Sequence, residues 1–203
     1  MRLFKASPKP TSARDHASAA EIVAFFQSKQ SFLGRLAFLI TEDQISADES
    51  VAKACEMTLK GNSPFRDWLM EWAKSATFMS AVLKRAEALR LCGATYKQIR
   101  CTHGDHLWQG DAEERAASLD LVLRTDPRKL VAELDPLSRA VLVLRLALRS
   151  SIQDCVCRMN VSRSAVLAAN CQAMTWLQKL RLESIEANDI ASHAFQELPQ
   201  TIQ

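Results

Sequence analysis

The segment from Leu134 to Leu180 constrains the fold of this chain more than any other stretch of the sequence. It opens with Asp135-Pro136, which is typical of a helix start, because Asp caps free backbone N–H groups and Pro suits the first helical position. Apolar residues then recur at helical spacing, at Leu137, Val141, Leu144 and Leu148, with Arg139, Arg145 and Arg149 between them. The pattern predicts a helix that buries one face.

Two further helices are predicted in the same segment, and a four-residue turn joins them. Ser150 or Ser151 can cap the first of the two, and Ser162 the second. Asn160 falls where the turn between them needs a left-handed backbone, which Asn tolerates better than most residues. The two helices and the turn between them, Met159-Asn160-Val161-Ser162, predict a helix-turn-helix. This motif places its second helix in the major groove of DNA.

The rest of the sequence also indicates an all-α fold. Only 5 of 203 residues are Gly and 6 are Pro, so the chain has few turn residues. Good helix formers dominate, and no stretch alternates between apolar and polar residues as a half-buried strand does. The predicted organisation is a flexible basic tail (1–18), a helical domain (19–91), a linker (92–116), the helix-turn-helix domain (117–182) and an acidic tail (183–203).

Within the first predicted domain, apolar spacing gives specific expectations about helices and burial. A helical stripe runs from Ala19 to a break near Thr41, and Ser46 or Asp48 can cap the helix that follows. A third helix is predicted from Phe65 to about Arg90. Its apolar residues, with the two tryptophans as core anchors, are Trp68, Leu69, Trp72, Phe78, Met79, Val82 and Leu83. The helix before it is expected to bury Val51, Ala54, Cys55 and Leu59.

Charge is distributed unevenly along the chain. Residues 128–182 carry nine Lys or Arg and three Asp or Glu, a net charge of +6, whereas residues 20–91 carry nine of each. A basic block of this kind indicates contact with a polyanion, and a solvated helical face with surplus Arg is the equally weighted alternative.

Several functional classes have little support in the sequence. Phosphate-binding Gly-rich loops and catalytic motifs such as HExxH or GxSxG are absent, so we expect no enzyme, no catalytic residue and no cofactor. Cys92, Cys101, His103 and His106 match no four-ligand zinc pattern, and no metal is expected. The six cysteines include no CxxC pair, and no long apolar run is present; we expect reduced thiols, a cytoplasmic protein and no membrane contact.

With these residues in place, the C-terminal segment resembles region 4 of the small, extracytoplasmic-function type of bacterial sigma factor. Asn160-Val161-Ser162 stands where the family has Gly-Val-Ser, and Ser151 to Val156 stands where the family favours Ser-Tyr-x-Glu-Ile-Ala. The other matching positions are Leu130, Leu134, Pro136, Arg139, Val141, Leu144, Arg145, Ala165 and Val166. The match covers about fifty residues.

The N-terminal half is similar to region 2 of the same family at fewer positions. Residues 47–51 stand near the helix that engages the polymerase clamp, although Ala52 replaces the usual Gln. Residues 65–69 and 73–75 stand near the segments that help to read and melt the downstream promoter element. The resemblance implies that Asp48 and Glu49 face RNA polymerase core, and that promoter DNA and an anti-sigma protein are candidate partners.

The chemistry of the predicted recognition helix is sparse for a DNA reader. Ser162, Arg163 and Ser164 lie at its N-terminus, where base-edge and phosphate contacts are expected. Weaker candidates for DNA contact are Gln172, Arg149, Arg158 and Lys179. Leu167, Ala168 and Cys171 are expected to lie on the same exposed face, which suits a protein partner better. Three hypotheses stay open: a sigma-like regulator that binds DNA, a sigma mimic that binds an anti-sigma or other protein, and an unrelated helical adaptor.

Overall fold

The computed structural model describes the backbone of residues 15–96 and 111–196, and side chains as far as Glu186. Within these ranges the regular elements are helices, accompanied by an isolated bridge between His16 and Phe65. The predicted all-α class is therefore confirmed for the described part of the chain. None of its helices has an apolar stretch long enough to cross a membrane. The chain divides into two compact units, residues 1–85 and 86–203.

The first unit contains α1 (Ala19–Ser28), α2 (Gln30–Thr41), α3 (Gln44–Lys60), a 3-10 turn (Arg66–Trp68) and most of α4 (Leu69–Thr95). Its hydrophobic core is formed by the inward side of each helix. The buried members of this core include Ile22, Phe26, Leu33, Val51, Ala54, Leu69 and Ala73. Small residues such as Ala54 and Ala73 allow the helices to approach closely while the larger side chains fill the space between them.

Two helix boundaries in this unit differ from the prediction. The stripe that begins at Ala19 is split into α1 and α2 at Lys29, whose N–H closes α1 on the carbonyl of Phe25 at 3.0 Å. The cap of α3 is Asp43 and not Ser46 or Asp48, because its carboxylate accepts the backbone N–H of Ser46 at 2.7 Å. Extended backbone at Asp43 makes this cap possible.

The predicted burial of four side chains in this unit is wrong. Trp68 is 70% exposed, Trp72 is 47% exposed and Leu83 is 67% exposed, and Leu59 also lies at the surface. Trp68 belongs to the 3-10 turn that precedes α4, so it does not share the periodicity of that helix. The inward side of α4 is formed by Leu69, Phe78 and Val82 from the expected apolar set, together with Ala73 and Ala81.

The second unit contains the end of α4, α5 (Ala112–Arg124), α6 (Pro127–Glu133), α7 (Pro136–Ala147), α8 (Ile152–Met159) and α9 (Arg163–Gln196). Helix α7 is its centre and is buried on nearly every side. The inward side of α9 was predicted correctly, and it consists of Val166, Ala169, Ala173, Leu177 and Leu180. Helix α9 continues past Leu182 to Gln196, whereas the sequence predicts fraying there.

Arg139 belongs to the basic block by sequence, but its side chain lies inside the second unit. It is 1% exposed, and its guanidinium donates to the carbonyl oxygens of Val131, at 3.1 Å, and of Leu134. These carbonyls lie at the C-terminal end of α6, where backbone carbonyls have no N–H donors within the helix. Burial lowers the pKa of Arg139 to about 10, so the group stays charged at neutral pH. The surface of this unit is accordingly less basic than its residue count implies.

Candidate nucleic-acid interface

The turn between α8 and α9 has the backbone geometry that the sequence predicts. Ser151 and Asp154 cap the start of α8 reciprocally, and α8 ends at Asn160 in the left-handed region, at φ 52° and ψ 48°. Val161 follows and is buried, and the Ser162 hydroxyl then accepts the backbone N–H of Ala165 at 3.2 Å. Each residue of the turn therefore has the role that its type suggests: left-handed Asn, apolar Val and capping Ser.

The first turn of α9 presents the strongest predicted contact residues together. Ser162, Arg163 and Ser164 are all exposed, and the two serine hydroxyls lie 3.1 Å apart. Backbone N–H groups in the first turn of a helix lack intrahelical acceptors and attract anions. This corner of the second unit can donate to a phosphate or to a base edge.

The other basic candidates are distributed around this corner. Arg149 is exposed, with a positive φ of 51°, in the connection between α7 and α8. Arg158 on α8 is half-buried and, after the dominant bonds from Ser151, helps to lower the pKa of Asp154. Lys179 lies about 24 Å along α9 from Arg163, where it faces Glu133 at 4.0 Å and Glu183 at 3.7 Å. Lys179 is thus the candidate that the fold does not bring to the turn.

Gln172 has a different environment from the one expected for a base reader. The oxygen of its side-chain amide lies 2.8 Å from the Tyr96 hydroxyl and 3.0 Å from the Ser138 hydroxyl. Gln172 is exposed, as expected, but the expected exposure of Ala168 on the neighbouring face is wrong, because Ala168 is 1% exposed. Leu167 and Cys171 are half-buried.

Asp135 is the centre of the polar cluster that holds Gln172. One carboxylate oxygen accepts the backbone N–H of Ser138 at 3.0 Å and the Cys92 thiol at 3.1 Å. The other accepts the hydroxyls of Tyr96 and Ser138, each at 2.6 Å. Burial alone would raise the pKa of Asp135, but the bonds from Ser138, Tyr96 and Cys92 lower it. Burial, and after it the bond to Asp135, raises the pKa of Tyr96, and burial raises the pKa of Cys92 to about 11, so both groups stay protonated.

Sequence reasoning missed Tyr96, which lies in the predicted linker. It is the single tyrosine of the chain and directly follows α4, and this is the signal that could have identified it. Its partners come from α7 and α9, which only the fold brings beside it.

The first unit carries a second candidate surface, which is aromatic. Phe65, Trp68 and Trp72 are all exposed, and the rings of Phe65 and Trp68 lie edge to face at 6.5 Å between centroids. Arg66 donates to Glu21 at 2.9 and 3.1 Å and fastens the turn to α1. That contact holds the pKa of Glu21 at about 2. Exposed aromatic rings on a fixed turn can stack on unpaired bases.

The two predicted polymerase contacts lie side by side on α3 but have different neighbours. Asp48 is exposed, accepts the Gln44 side chain at 3.0 Å, and lines a groove of about 400 Å³ between α1 and α3. Glu49 forms an ion pair with Lys84 of α4. Apolar side chains from both helices line the groove, among them Val23, Phe26, Val51, Cys55 and Leu59. The carboxylates that line the groove are those of Asp48 and Glu56, and Glu56 is paired with Lys53 and Lys60.

Among the described residues, no three His, Cys, Asp or Glu side chains lie close enough together to hold a metal ion. Cys101, His103 and His106, which were weighed as ligands, lie outside the described residues. No protein-family model, curated protein or solved structure matches the chain.

Proposed function

We propose that this chain is a sigma-factor-like regulator of transcription initiation that binds RNA polymerase core and promoter DNA. The observation that carries the proposal is the connection from α8 to α9: a left-handed Asn160, a buried Val161 and a capping Ser162 that leads into an exposed Arg163. A helix whose N-terminus is exposed in this way can enter a major groove with its first residues at the base edges.

The polar groups around the turn support a DNA contact of modest extent. Ser162, Arg163 and Ser164 supply hydroxyl and guanidinium donors at the N-terminus of α9, and Arg149 adds a charge on one side. Bidentate donation from Arg to guanine is the commonest specific contact in the major groove. With Arg139 buried and Lys179 beside acidic side chains, we expect few phosphate contacts and a shallow salt dependence.

The first unit supports the polymerase and promoter-opening parts of the proposal. Asp48 borders an apolar groove that a helix of the polymerase can fill, with its carboxylate facing a basic side chain of that helix. Phe65, Trp68 and Trp72 offer rings for bases released from the duplex.

The proposal is tested by measuring the affinity of the full chain for duplex DNA, with and without polymerase core, over a range of salt concentrations. We expect binding that weakens as salt rises, because phosphate contacts release counterions. Binding that is undetectable at low salt, even with polymerase core present, would exclude DNA recognition.

Arg163→Ala is the sharpest single substitution for this test. If Arg163 reads a base, its loss weakens specific duplex binding by roughly 1–3 kcal/mol and relaxes the preference at one base pair. Arg128→Ala is the matched control, because Arg128 is an exposed arginine on α6, outside the predicted contact set. Equal effects of the two substitutions would indicate non-specific charge and not base reading.

A second candidate function is a sigma-like mimic that binds an anti-sigma protein without reading DNA. One observation favours it: the outward side of α9 is uncharged over about four turns, at Ser164, Leu167, Cys171, Thr175 and Gln178. An uncharged helical face suits a protein partner better than a phosphate backbone. Isolation of the tagged chain from its own cell separates the two, since polymerase subunits favour the regulator and one small helical protein favours the mimic.

A further inference from the structure

Three residues other than glycine adopt a left-handed backbone in the described part of the chain. They are Glu42, Arg149 and Asn160, at φ 63°, 51° and 52°. This conformation brings the β-carbon close to the following carbonyl oxygen, so glycine or asparagine usually takes it. Asn160 is therefore an ordinary choice. The carboxylate of Glu42 forms an ion pair with Arg85 at 2.9 Å, and this contact offsets the backbone cost.

Neither account applies to Arg149. Its side chain is exposed at the connection from α7 to α8, and its guanidinium bonds to no residue that the structure describes. An unfavourable backbone position without an internal contact indicates a role outside the fold. A guanidinium is always charged and bonds bidentately to phosphate and carboxylate groups. The position of Arg149 therefore favours an anionic ligand.

The backbone beside Arg149 is held at Ser150, which is 5% exposed. The N–H of Ser150 donates to the carbonyl oxygen of Leu144 at 3.0 Å, and the guanidinium of Arg145 donates to the carbonyl oxygen of Ser150 at 2.8 Å. Arg145 is half-buried and makes no other hydrogen bond to the described residues. Arg145 thus holds the turn from which Arg149 projects.

The place of this turn in the helix-turn-helix favours the DNA backbone as the anion. Arg149 lies two residues before Ser151, which caps α8. Helix α8 is the first helix of the motif, and in a helix-turn-helix the first helix crosses the phosphate backbone while the second faces the base edges. The carboxylate in the first turn of α8, that of Asp154, accepts the N–H and the hydroxyl of Ser151 at 2.8 and 2.7 Å.

We propose that Arg149 binds a phosphate of the DNA backbone and that Arg145 is the residue that positions it. This inference rests on the proposed DNA-binding function. The two exposed arginines of the motif then have different roles. Arg163 meets a base edge and sets the sequence preference, whereas Arg149 adds affinity that is the same for every sequence. The arginine at position 149 costs stability that glycine would not, because glycine adopts the left-handed backbone freely.

The first experiment measures the affinity of the full chain for a short duplex of random sequence over a range of salt concentrations, together with its melting temperature. In Arg149→Gly, loss of one phosphate contact should lower the slope of log affinity against log salt by about 0.9, which corresponds to about eightfold weaker binding at 0.1 M salt. The melting temperature of the same variant should rise by about 2–4 °C, because the backbone strain is relieved. Arg128→Ala is the matched control, an exposed arginine on α6 whose loss should leave the slope unchanged.

The second experiment tests whether Arg145 acts through Arg149. Arg145→Met removes the donor to Ser150, and Arg145→Lys keeps a donor and the charge. With Arg149 present, Arg145→Met should weaken duplex binding several-fold, and Arg145→Lys should restore most of the affinity. In the Arg149→Gly background Arg145→Met should cause no further loss, because the contact that it positions is already absent. A merely structural role of Arg145 would weaken binding equally in both backgrounds.

The outcomes distinguish this inference from the proposed function. Duplex binding by the natural chain, with an unchanged salt slope in Arg149→Gly, overturns the phosphate contact and leaves the proposed function standing. Equal losses from Arg145→Met in the two backgrounds, or no loss in either, overturn the positioning role. Absence of duplex binding by the natural chain at low salt, even with polymerase core present, overturns both proposals. Weaker binding with a raised melting temperature in Arg149→Gly supports both.

Discussion

The tryptophans of the two units differ in their surroundings. In the first unit Trp68 and Trp72 remain at the surface, although Trp72 donates its indole N–H to Thr58 at 3.1 Å. In the second unit Trp176 is buried against α6, and its indole N–H donates to Glu133 at 2.7 Å. A tryptophan is buried when a neighbouring helix supplies both an apolar surface and an acceptor for the indole. Exposed rings that lack such a neighbour mark a surface suited to binding.

A similar difference is seen among the charged groups. The second unit depends on buried and half-buried polar side chains, chiefly Arg139 and Asp135, which bond to helix ends inside the fold. In the first unit the ion pairs join exposed or partly exposed side chains, such as Arg66 with Glu21 and Lys84 with Glu49. We therefore expect substitutions of Arg139 and Asp135 to destabilise the second unit, and substitutions of the exposed aromatic residues to affect binding by the first.

The largest expected effect is that of Arg139→Ala. It leaves the carbonyls of Val131 and Leu134 without their donor and opens a cavity beside α7. Loss of such a buried group should lower the free energy of unfolding by about 3–5 kcal/mol, measured by urea denaturation. Arg128→Ala, at an exposed position, should change it by less than about 0.5 kcal/mol. Similar losses of unfolding free energy in both variants would show that burial does not distinguish Arg139 from Arg128.

Trp68→Ala tests the aromatic surface of the first unit. Because Trp68 is largely exposed, the variant should keep its unfolding free energy within about 0.5 kcal/mol. Its affinity for a short single-stranded DNA should fall by roughly 1–3 kcal/mol, the usual effect of removing one stacking ring. Leu83→Ala is the control, since Leu83 is equally exposed in the same unit without a ring. A loss of stability without a loss of binding would assign Trp68 to the core.

Asp135→Asn tests the polar centre of the second unit through its pH dependence. The fold lowers the pKa of Asp135, so its carboxylate stabilises the folded state above the unfolded pKa and loses that contribution as pH falls through the folded pKa. The variant should be less stable than the natural chain by roughly 1–2 kcal/mol at pH 7, with a difference that shrinks below about pH 4. Urea denaturation at several pH values measures it. A difference that is constant with pH would show that the charge of Asp135 is irrelevant.

The smallest effects are expected at the turn between α8 and α9. Asn160→Ala should cost about 1 kcal/mol, because alanine resists the left-handed backbone that Asn160 adopts. Asn160→Gly should be neutral within a few tenths of a kcal/mol, since glycine adopts it freely. Thermal unfolding of the Asn160→Ala and Asn160→Gly variants measures how much the left-handed backbone at this position contributes to stability. Equal losses would instead implicate the Asn160 side chain.

Local chemistry accounts for what the sequence predicted correctly. Asp135 before Pro136, Ser151 three residues before Asp154, and Asn160 before Val161 each act on backbone within a few residues. The inward sides of α7 and α9 follow from helical period in the same way. Some failures are local, such as the cap of α3 at Asp43 and the 3-10 turn that contains Trp68. Others depend on distant neighbours, such as the exposure of Leu83. The same holds for the candidate site. Local sequence places Ser162, Arg163 and Ser164 on one turn, whereas the contact of Gln172 with Tyr96 depends on the fold.

By itself the sequence determined that the described chain is helical, where the helices of the C-terminal segment begin, and which residues form the turn into α9. Caps, turn residues and period depend on contacts over one or two helical turns. The tertiary structure alone decided that Arg139 is buried, that three aromatic rings are exposed, and that Tyr96 joins Asp135, Ser138 and Gln172. These outcomes depend on which helix packs beside which, because desolvation and hydrogen bonding act between residues far apart in the chain.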